Sequence, residues 1–300
     1  MNAQIIERTG SAYVASGERR IVHRTTGQAH GSIRRLMSPG DLGEVVKPFV
    51  FLDLFEARSE FMGSMAIHPH SGLATVTVLT EGDVRFDDPS SGQGTIGYGG
   101  VEWMRAGGGV WHGKEMSRGS SPSVQGFQLW VALPPELENG PVDSQYIEAG
   151  DMPSVGPAHV ILGEYGGRRS PVRSVDGTTY LLVTLKRGET WTFTPSKDQS
   201  VAWLGVARGS LDAGETVVAT EMVVFDQGSD AITLTAGNER DAVFVIGSAI
   251  PHPHDLVTGY YSVHTSEAAL EAGEANIAAI GQRMKRSGAM EQSGAVPIFR

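Results

Sequence analysis

The segment "HPH" at residues 68–70 sets two imidazoles either side of a proline. In a strand, residues i and i+2 point to the same face, so His68 and His70 converge on one side. Two imidazoles on one face are half of a nitrogen-rich metal site. They are equally the polar, hydrogen-bonded lip of a strand end. Pro69 fixes its own φ and donates no hydrogen bond, which confines the segment to the start of a strand or to a sheet edge. A second stretch, "GGVEWMRAGGGVWHGKEM" (99–116), tips the balance toward metal. Gly107, Gly108 and Gly109 permit a tight reversal. "VWH" then re-enters a strand and presents His112, with Glu115 close behind. Three imidazoles and a carboxylate from two strands of a small barrel suit a redox-active divalent metal with open positions.

Glu115 raises a question of register. In a regular strand the residue three positions after His112 faces away from the barrel interior, and the ammonium of Lys114 takes the inward position. A bulge at Gly113 restores the face, because one extra residue shifts the alternation and glycine tolerates the dihedrals required. Trp103, Trp111 and Trp130 could line a pocket for a flat aromatic substrate. Trp111 adjoins His112 and is assigned to the pocket wall, whereas Trp130 lies in an apolar strand and reads as core. A second "HPH" supplies His252 and His254, with His264 beyond it. These follow the last barrel strand with no glycine turn or carboxylate strand beside them, and read as surface or interdomain hydrogen-bonding groups.

The chain has no cysteine, which excludes disulfides, thiolate zinc sites, iron–sulfur clusters and a cysteine nucleophile. Any metal is therefore held by nitrogen and oxygen. A net charge of −10 gives no attraction to nucleic acid or to an anionic membrane surface. The first residues, "MNAQIIERTGSAY", lack the apolar core of a signal peptide. No apolar stretch approaches the ~20 residues of a membrane span. A cytoplasmic protein is expected.

The elements that must position these side chains are mostly strands. "ATVTVLT" (74–80), "FQLWVAL" (127–133), "TYLLVTL" (179–185), "SVAWLGVA" (200–207) and "DAVFVIGSA" (241–249) are short β-branched or aromatic runs, mostly bounded by turn residues. Such spacing reads as sandwiches or small barrels. A helix is predicted over 265–286, with Thr265 or Ser266 as cap and Leu270, Ile277, Ile280 and Met284 as its apolar stripe. The last dozen residues carry no clear pattern. "VLTEGDVRF" (78–86) and "LGVARGSLDAGE" (204–215) share a strand–glycine–strand form, which makes Gly82 and Gly209 equivalent turn residues. In that register His68 and His70 correspond to Pro195 and Lys197, so the first half alone is equipped with ligands. The Pro-rich acidic stretch 136–157 reads as a linker between domains at 1–135 and 158–300.

"HPHSGLATVTVLTEGDV", "VEWMRAGGGVWHGKEM" and "GFQLWVALP" resemble the pirin family of the cupin superfamily. Its pattern runs close to H-P-H-x-G-x-x-T-V, then Q-W-M-x-A-G-x-G-x-x-H-x-E, then Q-L-W. The resemblance covers about residues 20–135 and continues more weakly through 248–266. It implies an all-β bicupin: two stacked jelly-roll-like β-barrels, the first holding metal, the second holding none and ending in a helix and tail. His68, His70 and His112 fall on the family's three ligand histidines, and Glu115 is carried over as fourth ligand and catalytic base. Two positions depart from pattern: Ala74 replaces a glutamate common to cupins, and H-G-K-E replaces H-x-E. The resemblance implies quercetin dioxygenase activity on flavonol-type aromatic substrates, with one divalent transition metal. Fe(II) is expected first, with Mn, Ni, Co, Cu or Zn as alternatives. The competing implication is a metal- and redox-responsive regulator that binds a transcription factor or a metabolic enzyme.

Overall fold

A computed structural model describes residues 19–61 and 66–291. The patternless tail from 292 onward and the N-terminal residues 1–18 lie outside the described residues. Contacts divide the chain into two units, Met1–Lys47 with Met152–Pro251, and Pro48–Asp151 with His252–Arg300. No helix among the described residues is long and apolar enough to cross a membrane.

In the first unit, seven strands run in the order Ile21–Thr25, Met222–Phe225, Val201–Arg208, Ala242–Ala249, Thr178–Leu185, Ala158–Leu162 and Ser154–Val155. A second sheet joins Thr190–Phe193, Ile232–Ala236, Ser210–Asp212 and Thr216–Val218. Alternation sends Leu181, Val183, Leu204, Val206, Phe244 and Ile246 into one buried cluster with Phe193, Leu211 and Leu234. The opposite faces of the long strands are buried too, which explains their near-continuous apolar runs.

In the second unit, strand pairing gives the order Asp143–Ile147, Val101–Arg105, Leu73–Glu81, Ser123–Ala132, Phe49–Arg58. Smaller sheets pair His68–His70 with Val110–His112, and Asp83–Asp88 with both Met116–Arg118 and Gly92–Gly97. Its five-strand order matches the first five strands of the other unit, element for element. The internal repeat is thus real, and Gly82 and Gly209 occupy the same corner with φ of +80° and +78°. A Cβ there would stand 2.2 Å from Ser123 O or 2.6 Å from Asp241 O, so both corners require glycine. The fold is the all-β bicupin that the family resemblance implied.

Two boundaries differ from the sequence reading. The stretch 136–157 is not a bare linker. After the short helix Pro135–Glu138, Asp143–Ile147 forms a sheet edge and buries Ser144, Gln145 and Tyr146. The contact grouping also differs from a division at 135 and 158. Residues 252–300 group with 48–151, and residues up to 47 group with 152–251. The edge strand explains part of this, since each unit's sheet is completed by a segment lying outside its own run of barrel strands: Ile21–Thr25 in one, Asp143–Ile147 in the other.

The C-terminal helix, Glu267–Ser287, begins as predicted. Ser266 accepts a hydrogen bond from Ala269 N, and Gly288 ends the helix at φ +71°. Its buried face holds Ile277, Ile280 and Met284 together with Gly273 and Gly281. The glycines let the helix approach closely: a Cβ at Gly281 would lie 2.8 Å from the Trp111 ring.

Candidate metal centre

The two short strands of the site pair antiparallel, with His112 opposite His68, Trp111 opposite Pro69 and Val110 opposite His70. Pro69 is tolerated because this ladder is only two strands wide. The reversal that delivers His112 uses Gly107 at φ +51° and Gly109 at φ +143°. The three imidazoles meet with ring centroids 4.7 to 5.2 Å apart. Each offers a nitrogen within 4.8 Å of the others, the arrangement of a metal-binding group.

The outer nitrogens are fixed by backbone carbonyls. His68 Nδ1 lies 2.9 Å from Ala66 O, and His70 Nδ1 lies 3.0 Å from Tyr261 O. A carbonyl can only accept, so each Nδ1 carries the proton and each Nε2 presents its lone pair. The Nε2 atoms of His70 and His112 are buried and have no hydrogen-bond partner. Such orphans ordinarily cost about 1–3 kcal/mol each, and a bound cation would satisfy them. Burial also pushes the imidazoles toward the neutral form that ligation requires. His68 is lowered by desolvation, His70 is pushed down to about 3 by desolvation and the neighbouring His68, and His112 falls well below its ordinary value for the same reasons. The residues present therefore fit a divalent transition metal.

Glu115 was expected as fourth ligand, and its position is more specific. Gly113, at φ +133°, breaks the strand and turns Glu115 inward until it is 3% exposed. Its Oε2 accepts the Gly113 N–H at 2.9 Å and stands 3.8 Å from His112 Nδ1. The carboxylate lies beside the three-imidazole group and is not a member of it. Gly113 thus supplies the anticipated break, but its own N–H captures one carboxylate oxygen. Desolvation pushes the Glu115 carboxyl up to about 7.

Trp130 packs on the buried cluster of Val50, Leu73 and Ala132, as expected, and also reaches the histidines, whereas Trp111 does not. Trp111 was assigned to the pocket wall, yet it packs on the other face of its strand. Its Nε1–H donates to Ile277 O at 2.8 Å, and its ring joins Ile280, Met284 and Ala289 against the C-terminal helix. Alternation forces this, since His112 points inward from the next position. Trp130, read as core, stacks on Phe51 at 4.0 Å and meets the His70 ring edge at 4.9 Å. Trp103 is fully buried. His252 and His254 contact each other, with ring centroids 5.2 Å apart, and belong to no metal-binding group among the described residues. His264 is not a surface group. It is buried between Ser71 and Glu138.

One residue escaped the sequence reading. Cross-strand register sets Asp53, Gln128, Thr77, Glu102 and Tyr146 in a row across five strands. Glu102 is 3% exposed, with Oε2 unpartnered and Oε1 3.5 Å from Thr75 Oγ1. Thr75 is paired with Trp130, which touches His70. Desolvation first, with the charges of Glu115 and Asp88, pushes the Glu102 carboxyl up to about 7. A signal was present: "VEWMR" carries a carboxylate inside an apolar strand, where the family pattern has glutamine.

This geometry has a measurable consequence in the metal-free protein. The folded state holds the Glu102 proton up to about pH 7, whereas the unfolded chain releases it near its ordinary value of 4.5. Folding then takes up a proton between these values, so stability falls as pH rises through that window. Glu102→Gln should remove this component and stabilise the metal-free protein at pH 8 by on the order of 2–3 kcal/mol. Denaturant titrations from pH 4.5 to 8 measure it, and parallel pH profiles for variant and wild type would refute the buried-acid assignment.

The profile described as Pirin matches residues 30–131. A pirin-like protein of Caulobacter vibrioides is 31% identical over 220 residues, 70% of this chain and 79% of that protein. A Pseudomonas aeruginosa protein named "Putative quercetin 2,3-dioxygenase" is 29% identical over 243 residues, covering 76% of this chain and 83% of that one. A crystal structure titled quercetin 2,3-dioxygenase from Acinetobacter baumannii shares the fold with a TM-score of 0.74 at 24% identity, over 89% of this chain and 98% of that chain. With its strand order, its three-imidazole group and these likenesses, the chain belongs to the pirin family.

Proposed function

We propose that the protein is a metal-dependent dioxygenase that cleaves a flavonol-type aromatic substrate with O₂, in the cytoplasm, with Fe(II) as the first candidate metal. The observation that carries this reading is the set of three converging imidazoles, two of them with buried, unpartnered nitrogens, set beside the Trp130 ring and the buried Glu115 carboxyl. The name of the Pseudomonas relative supports the substrate class. Bound to His68, His70 and His112, the metal supplies Lewis acidity and, for a redox-active ion, electrons for O₂ chemistry.

The chain's own residues do the rest. The carbonyls of Ala66 and Tyr261 hold two imidazoles in the ligating tautomer. Glu115 faces His112 Nδ1 and steadies that ring. The stacked pair Trp130 and Phe51 offers a flat apolar surface beside His70. Glu102, whose buried Oε2 makes no hydrogen bond, receives the proton of the substrate hydroxyl.

The test is oxygen uptake together with loss of flavonol absorbance, after anaerobic reconstitution with Fe(II), Mn(II), Co(II), Ni(II) or Cu(II) in turn. Metal-dependent consumption of both reactants is expected. Tight metal binding with no turnover on any ion would discard the dioxygenase and leave the metal-responsive regulator of a protein partner.

A further inference from the structure

The sequence Ser71, His264, Glu138 has the order of a hydrolytic triad, with Ser71 Oγ 3.0 Å from His264 Nε2 and His264 Nδ1 3.3 Å from Glu138 Oε2. It cannot act as one. Ser71 is 0% exposed, its hydroxyl donates to Ser262 Oγ at 2.9 Å, and Gly273 of the C-terminal helix covers it so closely that a Cβ there would lie 2.6 Å from Ser71 Oγ. A buried polar chain of this kind, outside any substrate path, calls for another role.

Its location supplies one. Ser71 follows His70, and the segment it grips, Tyr261–Thr265, carries the carbonyl that fixes His70 Nδ1. The two segments are locked at every step. Ser71 bridges Ser262, Val263 N donates to Ser71 O at 3.2 Å, and Gly72 lies so near that a Cβ would be 2.0 Å from Val263 O. Glu138 closes the far end. Its two oxygens accept Thr265 N and Thr265 Oγ1, both at 2.7 Å, at the entrance to the C-terminal helix. The contact of His264 Nδ1 with Glu138 lies at ion-pair distance but off the hydrogen-bond line, so Thr265 carries more of the attachment.

We infer that Ser71, His264 and Glu138 form a clamp that sets metal affinity from a distance, by pinning the Tyr261 carbonyl against His70. The inference rests on the reading of the three imidazoles as the metal site. It assigns Glu138 and His264 as positioning residues, acting through Tyr261 O and His70, although they lie 68 and 194 positions from that ligand in sequence. The chemistry is that of an outer-shell acceptor, which fixes tautomer and ring plane and raises the basicity of the ligating nitrogen.

The experiment is metal affinity in full-length Glu138→Gln, read by Co(II) and Zn(II) competition against a chromophoric chelator and by the visible spectrum of the Co(II) form. Glutamine keeps one acceptor but sets an amide N–H₂ against a Thr265 donor, which loosens the clamp without an added cavity. Affinity is expected to weaken about 10–100-fold, as for other outer-shell losses, with an altered Co(II) spectrum and partial recovery in Glu138→Asp. Ser71→Ala, which cuts the same chain at its other end, should reproduce the shift and serves if Glu138→Gln does not fold. Val160→Ala, a core truncation in the other unit, should lower stability and leave affinity unchanged. Wild-type affinity and spectrum in both clamp variants would overturn the inference. So would an equal loss of affinity in Val160→Ala, because the effect would then be general destabilisation. No flavonol enters the measurement, so failure of the dioxygenase reading leaves this result standing.

Discussion

His112→Ala protein should purify without stoichiometric metal, while His252→Ala protein carries as much as the wild type. Both residues are buried histidines, so burial and residue type do not separate them. Geometry does. His112 stands across from His68 with ring centroids 4.7 Å apart and shares the group of converging nitrogens. His252 has His254 as its imidazole neighbour and no third donor among the described residues. Two imidazoles leave a divalent ion mostly hydrated, whereas three fix a face of its coordination sphere. The loss in His112→Ala should exceed the roughly 10–100-fold typical of removing an outer-shell partner. Elemental analysis of both variants, purified without added metal and again after Fe(II) reconstitution, decides it. Equal metal loss in the two would move the centre away from His68 and His70.

Much of this site was readable from the chain, for local reasons. The i, i+2 spacing of His68 and His70 survives in any strand, and three glycines before "VWH" leave little choice but a reversal. The helix was readable because Ile277, Ile280 and Met284 repeat at its period and Ser266 caps it. What escaped depends on register and on distance along the chain. Whether Trp111 or Trp130 faces the histidines depends on which side of each strand is inward, and His112 decides that for Trp111 by occupying the adjacent position. Glu102 acquires meaning only when cross-strand pairing sets it opposite Thr77 and Tyr146. Glu115 was undecidable from spacing, because its place is fixed by a hydrogen bond to Gly113 N, two residues back. The Tyr261 carbonyl that orients His70 comes from 191 residues away, and a backbone carbonyl leaves no mark in residue type. The grouping of 252–300 with 48–151 follows from the same long-range contacts.

Glu102→Gln should bind metal as the wild type does and turn over flavonol far more slowly. The substrate hydroxyl must lose its proton, and Glu102 and Glu115 are buried carboxyls that desolvation raises to about 7. Glu115 already accepts the Gly113 N–H and faces His112 Nδ1, so its exchange for glutamine should chiefly weaken metal binding. Each carboxyl keeps one unpartnered oxygen, but Glu102 has no imidazole among its hydrogen-bond contacts. It also lies in the row of polar side chains that crosses the barrel sheet. Loss of a positioned general base typically costs about 10²–10⁴-fold, and kcat/KM is expected to fall within that range. The pH profile carries a separate signature. Glu102 works as a base only when ionised, and burial sets its metal-free value at about 7. A bound dication favours the carboxylate and draws that value down. Wild-type activity should therefore rise with pH along an acid limb at or below about 7, and Glu102→Gln should lose that limb while retaining slow turnover at every pH. Unchanged turnover with the limb intact would pass the proton to Glu115 or to solvent. A variant that loses metal along with activity would place Glu102 in the support of the ligands instead.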